Sequence, residues 1–76
     1  MEELKKKILE IIKLLKKRNN ETYKYFEEIL NELDANPQEI IGRLIKSYAI
    51  TQYSNFNSRE EKCFEEIWQI AKKLHK

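Results

Sequence analysis

Nucleophilic or acid–base chemistry in this chain would have to come from Cys63 and His75, because the sequence holds one cysteine and one histidine. A cysteine near a helix start can become a thiolate, since that end of a helix favours negative charge. Cys63 follows Lys62, which would help. Yet Cys63 recurs at helical spacing with Phe64, Ile67, Ile70, Ala71 and Leu74, so it reads as a buried, inert thiol on an apolar stripe. His75 stands beside the C-terminus, where helices fray, without the orienting partner and closed site that a general base needs. One cysteine and one histidine are too few for a zinc site. The lone glycine, Gly42, cannot make a glycine-rich phosphate cradle. Pairs of carboxylates are numerous, but at helical spacings they read as solvated faces. The expectation is therefore a protein that is no enzyme, with no cofactor, no metal and no small-molecule ligand.

What remains is recognition chemistry. Residues Ser47 to Ser58 (SYAITQYSNFNS) carry no charge, in a chain of which 37% is Asp, Glu, Lys or Arg. Tyr48, Ile50, Tyr53 and Phe56 give this stretch large apolar surface. It is either a loop folded back on the core or a surface meant for another molecule. A second candidate is charge segregation. Residues 1–18 hold seven bases and three acids, and residues 19–39 one base and six acids. The outer face of the second helix offers Glu21, Lys24, Glu28, Asn31 and Glu32, and that of the first helix Lys6, Lys13 and Lys17. Such charges can simply keep a small domain soluble, or steer a partner of opposite sign.

The elements that must position these groups are all helical. Leu4, Ile8, Ile11, Ile12 and Leu15 share one face of a helix from about Glu2 to Arg18, with Leu9 and Leu14 widening it on both sides. Asn19-Asn20 breaks that pattern and can cap a new start. A second helix to about Asp34 carries Tyr23, Phe26, Ile29, Leu30 and Leu33. Asn36-Pro37-Gln38-Glu39 reads as a helix start, with Asn36 as N-cap, Pro37 in the first turn and Glu39 reaching back. The third helix then carries Ile40, Ile41, Leu44, Ile45 and Tyr48. Ser58-Arg59-Glu60-Glu61 reads as another such start, for a fourth helix with acids early and bases late, as the helix dipole favours. Trp68 lies at the edge of that helix's apolar face, as core packing or as an interface anchor. Gly42 falls on the outer face of the third helix, at a cost of roughly 1 kcal/mol against alanine. Either that cost is tolerated or some backbone approaches closely there.

No strand alternation and no internal repeat interrupts this pattern. The fold class is all-α, a compact four-helix bundle forming one domain over residues 1–76. A chain this short buries only about 60% of its unfolded surface, so its core is thin. No apolar run exceeds three residues, which predicts neither a secretion signal nor a membrane partner. The unpaired cysteine suits a reducing compartment, hence a cytoplasmic location. A helix-turn-helix-like reading, with Gln38, Arg43, Lys46 and Ser47 offered to a DNA groove, meets an acidic preceding helix and a net charge of only +2. A nucleic-acid partner is therefore the alternative and not the expectation.

Three stretches carry a family resemblance: Tyr25 to Leu30 (YFEEIL), Pro37 to Leu44 (PQEIIGRL) and Glu66 to Leu74 (EIWQIAKKL). The chain resembles the small helical immunity proteins of bacterial toxin–immunity systems, including those of contact-dependent growth inhibition. The resemblance spans about residues 10–75. It implies a protein that binds a cognate toxin domain tightly and blocks its active site or substrate approach, the toxin being a nuclease in some systems. An inhibitor of another cellular protein would look the same. Glu21, Glu28 and Glu32 would then steer a basic partner, and Tyr48, Tyr53 or Phe56 would anchor it.

Overall fold

The first helix, α1 (Glu2–Lys17), buries Leu4, Ile8, Ile11, Ile12 and Leu15, with acids in its first turn and bases in its last. A computed structural model describes residues 2–47 and 55–75 of the chain. The end of α1 is made by Asn19, whose φ of 58° lies in the left-handed region. The amide of Asn19 donates to the Lys16 carbonyl and that of Asn20 to the Leu15 carbonyl, at 3.1 and 3.0 Å. This pair of bonds is the Schellman closure, and asparagine tolerates the left-handed residue it requires.

Using Asn19 as the end of α1 displaces the next start. The second helix, α2 (Tyr23–Leu33), begins after a turn over 20–22 and has Thr22 at its N-cap with no side-chain cap bond. The expected start near Asn19 is therefore corrected by several residues. Asn20 still contributes, since its Oδ1 accepts the Thr22 amide at 3.0 Å. Phe26, Ile29 and Leu33 are buried, and Tyr23 and Leu30 pack against the core from its rim.

The third helix, α3 (Pro37–Lys46), has Asn36 at its N-cap and Pro37 in its first turn, as expected. The Asn36 side chain, however, makes no cap bond. Only its backbone carbonyl takes part, accepting from Ile40 at 3.0 Å.

The fourth helix, α4 (Ser58–Leu74), shows the reciprocal cap that Asn36 lacks, but on Asn57 rather than Ser58. Asn57 Oδ1 accepts the Glu60 amide at 2.8 Å, and Glu60 Oε1 accepts the Asn57 amide at 2.9 Å. Two overlapping boxes are written here, Asn57 with Glu60 and Ser58 with Glu61. The first wins because it turns Glu60 toward Arg18, whose guanidinium reaches it at 2.9 Å.

The four helices of the described residues run up, down, up and down. Lys16 pairs with Glu27 and Lys5 with Asp34, so α1 and α2 are antiparallel. Arg43 pairs with Glu32 across α2 and α3. Trp68 Nε1 donates to the Ile45 carbonyl and Gln38 to the Leu74 carbonyl across α3 and α4. Lys7–Glu66 ties α1 to α4. The bundle measures 32 × 19 × 18 Å. Its core holds three phenylalanines, Phe26, Phe56 and Phe64, with ring centroids 5.7 to 6.5 Å apart.

Candidate protein-binding site

The core phenylalanines decide one expectation directly. Phe56, which could have been a partner anchor or a core residue, is 9% exposed and lies against Phe26 and Phe64. It is corrected to a core residue. The uncharged stretch therefore folds inward at least at this point, because a thin core needs the aromatic area. Tyr48 and Tyr53 lie outside the described residues.

The position of Phe56 is fixed by a charged corner that sequence reading missed. Glu60 has 0% exposure yet carries a carboxylate. That group accepts from Arg18 Nε and from the Asn57 amide, each at 2.9 Å. Arg18 also donates to the Asn55 carbonyl at 2.8 Å, and Asn55 has a φ of 55°. One guanidinium thus ties the end of α1 to both sides of Phe56. A buried carboxylate is tolerable when paired and hydrogen-bonded in this way. The legible signal is the Asn57-x-x-Glu60 spacing, which overlaps the Ser58–Glu61 box.

The predicted acidic residues are at the surface, but in three different states. Glu21 and Glu28 are exposed and Glu32 is half-buried. Glu32 meets Arg43 at 3.3 Å, and Glu21 meets Lys24 at 3.6 Å. Glu28 has no ion-pair partner among the described residues. Other acids of the segment serve α1, namely Glu27 with Lys16 and Asp34 with Lys5. The Asp34 hydrogen bond holds the Lys5 ammonium above its ordinary pKa, and Glu66 followed by Glu10 does the same for Lys7. The segregation of bases and acids along the chain is thus partly consumed where α1 and α2 meet. Exposed pairs of this kind add little stability, and they leave the outer charge of α2 available to a partner.

Beside this ridge runs an open groove on α3, of about 460 Å³, lined by Gln38, Glu39, Gly42, Arg43, Lys46 and Ser47. Ridge and groove are contiguous, because Glu32 bonds to Arg43 and Tyr25 bonds to Ser47. Gly42 forms part of the groove, and a methyl group added there would meet no atom within 4 Å. Among the described residues no packing demands a glycine, which leaves room at Gly42 for the close approach of another backbone or side chain.

The remaining candidates are occupied structurally. Burial, then the Glu10 carboxylate, pushes the Cys63 thiol up to about 12, so it is protonated near neutrality. Its sulfur lies 3.6 Å from the Lys7 carbonyl. His75 caps the end of α4 through its backbone amide and is exposed. Trp68 is half-buried, bonded to α3 and covered by Lys72 at 4.6 Å. Of the four groups that α3 would offer DNA, Gln38, Arg43 and Ser47 all hold partners inside the molecule. Among the described residues no group of three or more His, Cys, Asp or Glu could hold a metal ion, and no helix is long and apolar enough to cross a membrane. Compared with known proteins, the chain matches no family model, no curated protein and no solved structure.

Proposed function

We propose that the chain is a cytoplasmic inhibitor that acts by binding another protein, in the manner of an immunity protein neutralising a cognate bacterial toxin domain, and that it performs no catalysis of its own. The site of binding is the continuous face of α2 and α3, with Glu21 and Glu28 steering a basic partner and the groove over Gly42 receiving part of it. The observation that carries this reading is Gly42. A glycine inside a helix costs roughly 1 kcal/mol, and no described residue comes within 4 Å of a methyl group placed there. A partner backbone or side chain approaching the groove gives the glycine a purpose that the described residues do not.

The test is co-expression with the toxin domain encoded next to this chain. Growth should be rescued by the wild-type chain, and the two proteins should co-purify as a complex. Gly42→Leu, which fills the groove without touching the core, should fold normally and lose both rescue and complex. A neighbouring toxin that is neither bound nor neutralised, or a Gly42→Leu chain that protects fully, overturns the proposal.

A further inference from the structure

The face formed by α1 and α2 is separate from the groove of α3 and carries its own unpartnered features. Leu9 is 47% exposed, the exposed large hydrophobic residue of the described chain. It borders a groove of about 450 Å³ between α1 and α2, whose walls include Ile12, Lys13, Glu27, Leu30 and Asn31. An apolar floor with a charged rim is the arrangement of a specific interface. The two sides of this one have opposite sign: α1 presents Lys6 and Lys13, and α2 presents Glu27, continued by Asp34. A surface with its own complement beside it is self-complementary under a two-fold rotation.

The ion pairs within the chain supply the register. Lys16 stands level with Glu27, and Lys5 level with Asp34. A two-fold axis lying in the face, parallel to the helices, leaves every residue at its own height. It places α1 of one copy over α2 of the other, antiparallel as within the chain. Lys13, three residues from Lys16, then lies within one turn of Glu27 of the second copy, and Lys6 lies beside Asp34. Each carboxylate would bridge two lysines, one from each copy. The two Leu9 side chains come to the same height on either side of the axis, each over the groove edged by Leu30 of the other copy.

We infer that the chain self-associates as a two-fold dimer through this α1–α2 face, with Leu9 seated in the groove of the second copy and Lys13 paired with its Glu27. This inference goes beyond the proposed inhibitory role and uses a different face, so both can hold at once. The α2–α3 face stays open in the dimer, which would present two binding faces for a partner.

The experiment is sedimentation equilibrium on the chain alone, with no toxin present, up to millimolar protein. The wild type should show twice the chain mass, and added salt should weaken the association. Leu9→Glu should sediment as a monomer with unchanged helicity and melting temperature, because Leu9 is outside the core. Lys13→Glu and Glu27→Lys should each be monomeric alone, since each places like charges opposite one another. Mixed in equal amounts they should form a heterodimer, because one intermolecular pair then keeps its native signs and the other is restored with signs exchanged. A wild type that is monomeric throughout overturns the inference. So does a dimer that survives Leu9→Glu, or a mixture that stays monomeric beside a dimeric wild type. None of these outcomes bears on whether a toxin is bound through α2 and α3.

Discussion

Where the end of α1 meets the start of α4, charged groups are engaged inside the molecule. Along α2 and α3 they stay at the surface. Glu60 at the first place accepts from Arg18 and from the Asn57 amide and is wholly buried. Glu28 at the second is exposed and has no ion-pair partner among the described residues. Both are glutamates on helices of similar pattern. The difference lies in what stands opposite: Glu60 has a guanidinium delivered by the closure of α1 at Asn19, whereas Glu28 faces outward. A buried charge specifies the fold and leaves nothing for a partner. An exposed one does the reverse.

The largest effect should come from breaking the engaged corner. Arg18→Ala leaves the Glu60 carboxylate buried with one backbone donor, and an uncompensated buried charge is strongly destabilising. Because Arg18 itself is partly exposed, water can relieve some of this, and a loss of about 3 kcal/mol is expected. For a domain of this size that lowers the melting temperature by roughly 12 to 24 °C. Adding Glu60→Gln to Arg18→Ala removes the stranded charge and should recover part of the loss. If Arg18→Ala melts like the wild type, the corner is not what fixes Phe56.

The next effect separates two asparagines that the sequence presents alike. Asn57→Ala removes a side-chain bond to the Glu60 amide and should cost about 1 kcal/mol. Asn36→Ala removes no side-chain cap bond and should cost less than about 0.5 kcal/mol. Urea denaturation of the two variants side by side checks the order. Equal losses would mean that Asn36 caps in solution. In the opposite direction, Gly42→Ala should raise stability by about 0.4 to 1 kcal/mol, since alanine fits an open helical position better. A destabilised Gly42→Ala would show that the groove is packed by something within the chain.

These contrasts mark where the sequence was readable. The four helices of the described residues, their apolar stripes and the place of Pro37 follow from periodicity and local sterics, which act within a few residues. Asn19 as a left-handed terminator was ambiguous, because asparagine serves equally as an end and as a cap. The choice between Asn57–Glu60 and Ser58–Glu61 was set by Arg18, far away in sequence, and local spacing cannot see it. The same holds for Phe56. An uncharged aromatic segment reads equally as an interface or as a fold-back, and only its meeting with Phe26 and Phe64 settles that residue. The acidic ridge was legible as composition, but the engagement of Glu32, Glu27 and Asp34 with neighbouring helices was not.

The smallest effect on stability should come from a residue proposed to steer the partner. Glu28→Gln removes one exposed charge, unpaired among the described residues, from α2, and the melting temperature should stay within the scatter of surface substitutions. Its effect should appear in kinetics. A charge at the rim of an interface accelerates encounter more than it holds the complex, and its reach is cut by salt within about 10 Å at 0.1 M. Association with a basic partner should therefore slow for Glu28→Gln at low ionic strength, with dissociation almost unchanged, and the difference should vanish as salt is raised. Glu32→Gln should behave differently, because Arg43 already neutralises part of that charge and is released when it is removed. The freed guanidinium adds a repulsive base to the same face, so Glu32→Gln should slow association at least as much while leaving the fold intact. If both variants associate at the wild-type rate at low salt, α2 is a solvated face and the partner approaches from elsewhere.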